Sequence, residues 1–323
     1  MLVSVTSTTG WGNAARRLAA SLTAAGARVG IAQTGPVPEV RTFMGTDLVQ
    51  ALAARRTAAA ALAIHRPRAL VYCSITAALL WPTPGAIWLD SLAAENRPGR
   101  HGIWQRRVER RRLEQAPLVM TMSADSLAPI DPGDRPETVL VPVAIDGPGA
   151  GEPAHDRDID VLAYTGDPVK RRLDFILDSW RRVRRGDEQL VVTGIDAPAG
   201  AATEGVRFTG RLAPDEFRSL LRRAKVFVTA PRREDFGITA LEALADGATL
   251  VTTPAPGPYP ALALARELDP RLVSQDIATA IRHALDEPLP GYAVRAAELV
   301  QRFGTPAVAA TLRERVVPRL LAA

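Results

Sequence analysis

Residues 225–260 read KVFVTAPRREDFGITALEALADGATLVTTPAPGPYP, and the fold is decided in this stretch. Val226, Phe227 and Val228 make a short β-branched and aromatic run closed by Pro231, and residues 248–252 make a second. Between them Ile238, Leu241 and Leu244 recur at helical spacing, so the segment reads strand, loop, helix, strand: a β-α-β unit. Its two glutamates have different settings, Glu234 in the loop and Glu242 in the helix. Asp235, Phe236 and Gly237 lead into that helix, whose N-terminus offers unpaired N–H groups and the positive end of a dipole, a ready seat for phosphate. Ionised carboxylates on either side accept strong hydrogen bonds from hydroxyl groups. The arrangement predicts a clamp for a nucleotide sugar.

Glu234, Phe236, Gly237, Glu242, Ala243, Leu244, Ala245 and Gly247 together resemble the E-x7-E signature of retaining GT-B glycosyltransferases of the family-4 (glycosyl transferases group 1) type. The resemblance implies an α/β chain of GT-B architecture: two Rossmann-like domains facing a cleft, acceptor on the first, donor on the second, and a C-terminal helix crossing back to the first. It further implies a retaining, metal-independent transfer of a sugar from a nucleotide diphosphate to an acceptor hydroxyl, with the nucleotide sugar as substrate and no cofactor. In that pattern Glu242 binds the ribose, Glu234 the hydroxyls of the transferred sugar, and the backbone at Phe236, Gly237, Ile238 and Thr239 the phosphates.

The 323 residues suffice for two α/β domains, each with its own core, and 47% hydrophobic with 23% charged residues is the composition of a globular enzyme. The formal charge of +5 comes from arginine, since Lys170 and Lys225 are the only lysines; with the alanine content this suggests a GC-rich, bacterial source. Such a balance suits anionic ligands, and without a basic patch interleaved with aromatics it does not point to nucleic acid. Cys73 is the lone cysteine, expected to pack as a small hydrophobe. With a strand starting at Leu2 and apolar stretches broken by Pro82 and Pro84, a cytoplasmic protein is expected.

Strand-like runs at 2–5, 28–32, 69–73, 86–89, 118–122 and 138–141 alternate with helices expected at 14–25, at 47–65 behind a Thr46 cap, and at 103–114. The pattern restarts with strands at 161–164, 190–193 and 206–209 and helices at 173–184 and 214–223. This divides the chain into a first domain at 1–145, a linker at 146–160, a second domain at 161–304 and a closing helix at 305–323. Residues 142–146 (Pro-Val-Ala-Ile-Asp) resemble the family hinge, with Val143 and Ala144 replacing Asn and Gly, which predicts a stiffer hinge.

Gly10, Gly12 and Asn13, in an expected loop at 6–13, formally satisfy a dinucleotide fingerprint, but Gln33, Thr34 and Gly35 stand where an NAD site wants an acidic residue. By resemblance this loop is a glycine-rich turn facing the donor phosphates. Gly166 opens the loop Thr165–Arg172, where the family sets cations on the diphosphate; Lys170 and Arg171 are alternatives for that role, and Asp167 stands where the family has arginine. Asp90 and His101, beyond the fourth strand on a polar loop, are candidates to assist the incoming hydroxyl. The helix at 103–114, with five arginines beside Trp104 and Val108, suits a peripheral contact with an anionic membrane that could carry a lipid-linked acceptor, or is a solvated face. A small-molecule or glycan acceptor is equally compatible. A non-catalytic nucleotide-sugar-binding protein and an NAD-dependent oxidoreductase remain the rival classes, and a glycoside hydrolase would need no phosphate-binding helix start.

Overall fold

Parallel strands buried on both faces read as continuous apolar runs, and every such run above is a strand in the computed structural model. The structure describes residues 1–5, 9–38, 40, 42–97, 99–147, 157–198 and 204–322, and of Thr9, Phe43 and His101 the backbone alone. The chain forms two compact units, one comprising Met1–Ala144 with Phe303–Ala323, the other Ile145–Arg302.

The first unit runs β1 (Leu2–Ser4), α1 (Thr9–Ala24), β2 (Ile31–Gln33), α2 (Phe43–Ile64), β3 (Val71–Tyr72), α3 (Ile75–Ala78), β4 (Ala86–Leu89), α4 (Ala93–Asn96), α5 (Ile103–Gln115), β5 (Val119–Thr121) and β6 (Thr138–Leu140). Its six strands are all parallel, in the order β2-β1-β3-β4-β5-β6. Val3, Tyr72, Ile87 and Leu89 pack with Trp81 and Leu113 in its core. The C-terminal segment, with α12 (Thr305–Thr311), a π turn (Leu312–Val316) and α13 (Val317–Ala322), belongs to this unit. Leu312 and Val316 are fully buried, and Arg313 donates to the Ala24 carbonyl at the end of α1.

The second unit runs β7 (Ile159–Tyr164), α6 (Leu173–Val183), β8 (Leu190–Thr193), β9 (Val206–Phe208), α7 (Pro214–Arg223), β10 (Ala224–Thr229), α8 (Ile238–Ala245), β11 (Thr249–Thr252), α9 (Pro260–Leu268), α10 (Ile277–Asp286) and α11 (Tyr292–Val300). Its five parallel strands lie in the order β11-β10-β7-β8-β9. Leu162, Val191, Phe227, Leu250 and Trp180 are buried around this sheet.

Three local expectations are corrected. The helix expected from Ala14 begins at Thr9, because Trp11, Ala15, Leu18 and Leu22 continue one stripe back through the glycines. The cap of α2 is Thr42, whose hydroxyl accepts from Gly45 N–H at 3.1 Å; Thr46 instead bonds the Val40 backbone. Strand β7 starts at Ile159, inside the expected linker, of which residues 148–156 lie outside the described residues. In the hinge, Val143, Ala144 and Ile145 are buried, Trp88 Nε1 donates to the Val141 carbonyl at 2.7 Å, and Arg17 donates to the Ala144 carbonyl at 2.9 Å.

Candidate functional site

In the second unit the chain lays β7, β8 and β9 outward in one direction and then returns to place β10 and β11 on the other side of β7. The order reverses between β7 and β10, and ligands of open parallel sheets bind outside the carboxyl ends of the strands at such a switch. The loops leaving the switch are 165–172 and 230–237, the two segments that the sequence reading marks for chemistry. Pairing of Val226 with Val161 and of Val228 with Ala163 brings them side by side.

Main-chain contacts then join the loops. Arg232 donates through its backbone N–H to the Lys170 carbonyl at 2.9 Å and through Nε to the Val169 carbonyl at 3.1 Å. Arg171 forms an ion pair with Glu234, the side chains being 15% and 7% exposed. Glu234 N–H donates to the Pro256 carbonyl at 3.0 Å. Asp167, in place of the family arginine, closes the turn instead: one carboxylate oxygen accepts from Val169 N–H at 3.1 Å and from Lys170 N–H at 2.9 Å. Arg172, at φ 53° the only non-glycine with positive φ among the described residues, lays its guanidinium 4.0 Å from the Phe175 ring centroid. Gly166 packs against the Tyr164 hydroxyl.

Gly237 is the N-cap of α8 and has φ 79°. A Cβ there would stand 2.4 Å from Tyr259 Cε2 and 3.3 Å from Glu234 Cγ, so both backbone conformation and space demand glycine. Phe236 is buried, Ile238 and Thr239 are half-buried, and the first turn that they form has N–H groups without intrahelical acceptors. Tyr259 closes the back of the loop, its hydroxyl 3.4 Å from Thr252 Oγ1, and burial pushes its phenol pKa up. Glu242, a turn into α8, is buried with Arg218 Nη1 3.8 Å away. Burial opposes the charge on Arg218, but hydrogen bonds to Asp246, helped by Glu242 and Asp146, outweigh it and hold the guanidinium pKa above its ordinary value.

The first-unit candidates are more dispersed. Gly10, Gly12 and Asn13 are not on a loop but within the first turns of α1, and Asn13 accepts from Arg16. Residues 6–8 of the expected loop lie outside the described residues. Asp90 is half-buried just past β4, at the carboxyl edge of the sheet, and accepts from Ser91 N–H at 2.7 Å. The segment after it is ordered into α4 and a 3-10 turn (Gly99–Gly102) rather than a polar loop, because Glu109 accepts from Ala93 N–H at 2.9 Å and buried Asp47 holds Arg97 at 2.7 and 2.9 Å. The side chain of His101 lies outside what is described. Among the described residues no group of three or more His, Cys, Asp or Glu side chains is placed to hold a metal ion, and no helix is long and apolar enough to cross a membrane.

Residues 160–287 match the family model Glycosyl transferases group 1. The match lies within the second unit. No curated protein matches the chain by sequence. Among solved structures, WaaG, a glycosyltransferase involved in lipopolysaccharide biosynthesis, is similar at TM-score 0.68 and 15% identity, covering 98% of each chain. Sucrose-phosphate synthase from Thermosynechococcus elongatus is similar at TM-score 0.68 and 17% identity, covering 99% of this chain and 96% of that one. An α,α-trehalose-phosphate synthase from Burkholderia xenovorans gives TM-score 0.60 and 14% identity over 85% of this chain and 80% of its own. The fold of the chain is therefore GT-B, as in these neighbours.

Three residues of this site carry no signal of their role in the sequence: Arg218, Asp246 and Tyr259. Asp246 follows Glu242 by one turn, a spacing visible in the sequence. Its partner Arg218 lies on another helix, and only the packing of α7 on α8 unites them.

Proposed function

We propose that this chain is a retaining glycosyltransferase that moves a sugar from a nucleotide diphosphate to an acceptor hydroxyl. The observation that carries the reading is the Arg171–Glu234 pair beside the N-terminus of α8, with Glu242 one turn farther in. Glu242 accepts from the ribose hydroxyls, the first-turn N–H groups of α8 hold the diphosphate, and Glu234 accepts from hydroxyls of the transferred sugar. As the glycosidic bond breaks, negative charge grows on the departing diphosphate, and Arg171, with Lys170 beside it, offsets that charge. These cations do the work that a metal would otherwise do, so chelation with EDTA is expected to leave turnover unchanged. Asp90, at the carboxyl edge of the first sheet, is the candidate to orient the acceptor hydroxyl. The test is release of nucleoside diphosphate from a panel of sugar nucleotides with sugar, glycan and lipid acceptors, followed by NMR of the product. An axial-to-axial or equatorial-to-equatorial anomeric outcome supports retention, inversion contradicts it, and binding without release leaves a nucleotide-sugar-binding protein.

A lipid-linked acceptor has one observation in its favour. On α5, exposed Ile103 and half-buried Trp104 and Val108 lie beside the exposed Arg107, Arg110 and Arg111. Such a face suits anionic lipid headgroups. Sedimentation with phosphatidylglycerol vesicles tests it: salt-sensitive pelleting supports the contact, and recovery in the supernatant contradicts it.

A further inference from the structure

Arg172 sits in the left-handed region, at φ 53° and ψ 52°, a conformation that a residue with a Cβ adopts at a cost and that glycine takes freely. The hydrogen bonds around it show why the chain turns there. Asp167 caps a single helical turn: one carboxylate oxygen accepts from Val169 N–H at 3.1 Å and Lys170 N–H at 2.9 Å, and its carbonyl accepts from Arg171 N–H at 2.9 Å. The turn ends in a Schellman motif, in which Leu173 N–H donates to the Pro168 carbonyl at 2.9 Å and Arg172 N–H to the Val169 carbonyl at 3.3 Å. The next-to-last residue of that motif must be left-handed, and here it is Arg172. Leu173 then opens α6, whose first bond runs from Ile176 N–H to the Arg172 carbonyl at 3.1 Å. The Arg172 guanidinium lies 4.0 Å from the Phe175 ring centroid on α6, a cation–π contact that offsets part of the backbone cost.

Arg171 is the last residue of the turn, so the backbone on its two sides aims its side chain. Arg232 fixes the preceding side, where its N–H donates to the Lys170 carbonyl at 2.9 Å and its Nε to the Val169 carbonyl at 3.1 Å. Arg172 fixes the following side. With a right-handed or extended Arg172 both Schellman bonds break, and the turn that carries Arg171 swings away from Glu234, its partner in the ion pair. We propose that Arg172 is a positioning residue of the donor site: its left-handed backbone ends the turn where Arg171 meets Glu234, and the stack on Phe175 holds that backbone. This rests on the reading of Arg171 as the cation that offsets charge on the departing diphosphate. Because that charge grows as the bond breaks, a misplaced Arg171 lowers kcat more than it raises the donor KM.

Substitutions at position 172 separate backbone from side chain. Glycine enters the left-handed region freely, alanine less readily, and β-branched valine least. Nucleoside diphosphate release is measured for R172G, R172A, R172V and R171A with whichever UDP, GDP, ADP or dTDP sugar the wild type turns over fastest, at a temperature where melts show each variant folded. R172V is expected to lose about tenfold in kcat, part of the roughly hundredfold that a missing charge-stabilising donor costs. R172G is expected to recover most of that loss although it lacks the guanidinium, with R172A between them. R171A/R172V is expected to be no slower than R171A, because both act through one cation. Equal losses in R172G and R172V would mean that the guanidinium acts directly, and a double-variant loss that adds to that of R171A would mean a separate effect; either overturns the proposal. Should R172V not fold, R172A carries the same test, and turnover in R172A at or above that of R172G overturns it. Full turnover in R171A, or no release by the wild type, removes the reading of Arg171 and the proposal with it. An impaired R171A beside an unaffected R172V removes the proposal alone.

Discussion

Replacing Gly237 by alanine tests the construction of the donor loop at its tightest point. The residue has φ 79°, and an added Cβ would meet Tyr259 Cε2 at 2.4 Å and Cδ2 at 2.8 Å. Tyr259 has little room to yield: it is 5% exposed, its N–H donates to the Gly257 carbonyl at 2.8 Å and its hydroxyl lies 3.4 Å from Thr252 Oγ1. The left-handed backbone costs an alanine about 1–2 kcal/mol, and overpacking against a fixed ring adds about 1–3 kcal/mol. Together they lower the melting temperature by about 5–15 °C for a unit of this size. Gly291 supplies the control, because its φ is 71° and nothing lies within 4 Å of an added Cβ, so Gly291→Ala isolates the backbone cost. Calorimetric melts of the two variants are compared under one condition. Gly237→Ala is expected to melt lower than Gly291→Ala, and also to bind nucleoside diphosphates more weakly because the first turn of α8 is displaced. Equal melting temperatures would refute the claim that the Tyr259 ring walls the loop.

Burial pushes the Glu109 carboxyl up to about 7, against the opposing effects of the Ala93 N–H and Arg106. The unfolded chain then releases this proton first, so stability falls as pH climbs from about 4.5 to 7 and is level above that. Glu109→Gln removes this slope, and denaturant titrations should show the variant gaining up to about 3 kcal/mol on the wild type across that window; parallel pH profiles would contradict the assignment. Leu312, fully buried in the π turn that closes the first unit, is expected to cost about 2–5 kcal/mol on truncation to alanine. Donor affinity should be unchanged in that variant, since Arg171, Glu234 and Glu242 lie in the other unit, and a weakened Kd would count against that separation.

The strands were legible because each is an apolar run bounded by turn residues, and parallel burial leaves such runs uninterrupted. The E-x7-E segment was legible for the same reason, since its strand, Gly237 and helix are contiguous. What the sequence hides is partnership across elements. Arg171 and Glu234 are neighbours because β7 and β10 pair at the switch point, and no local period records that. Arg218 and Asp246 likewise meet only when α7 packs on α8. At α1 the glycines at 10 and 12 read as a loop, yet the apolar stripe through Trp11 outweighed their poor helix propensity.

The two glutamates, Glu234 and Glu242, are expected to have separate tasks. Calorimetry with Glu234→Gln and Glu242→Gln, each titrated with the tightest-binding nucleoside diphosphate and with its sugar conjugate, tests this most directly. Glu242→Gln is expected to weaken both ligands, by about 1.5–3 kcal/mol for a lost charged hydrogen-bond partner. Glu234→Gln is expected to weaken the sugar conjugate alone, because the diphosphate keeps Arg171 and the start of α8. Equal losses for both ligands in both variants, or no loss in either, would contradict the account.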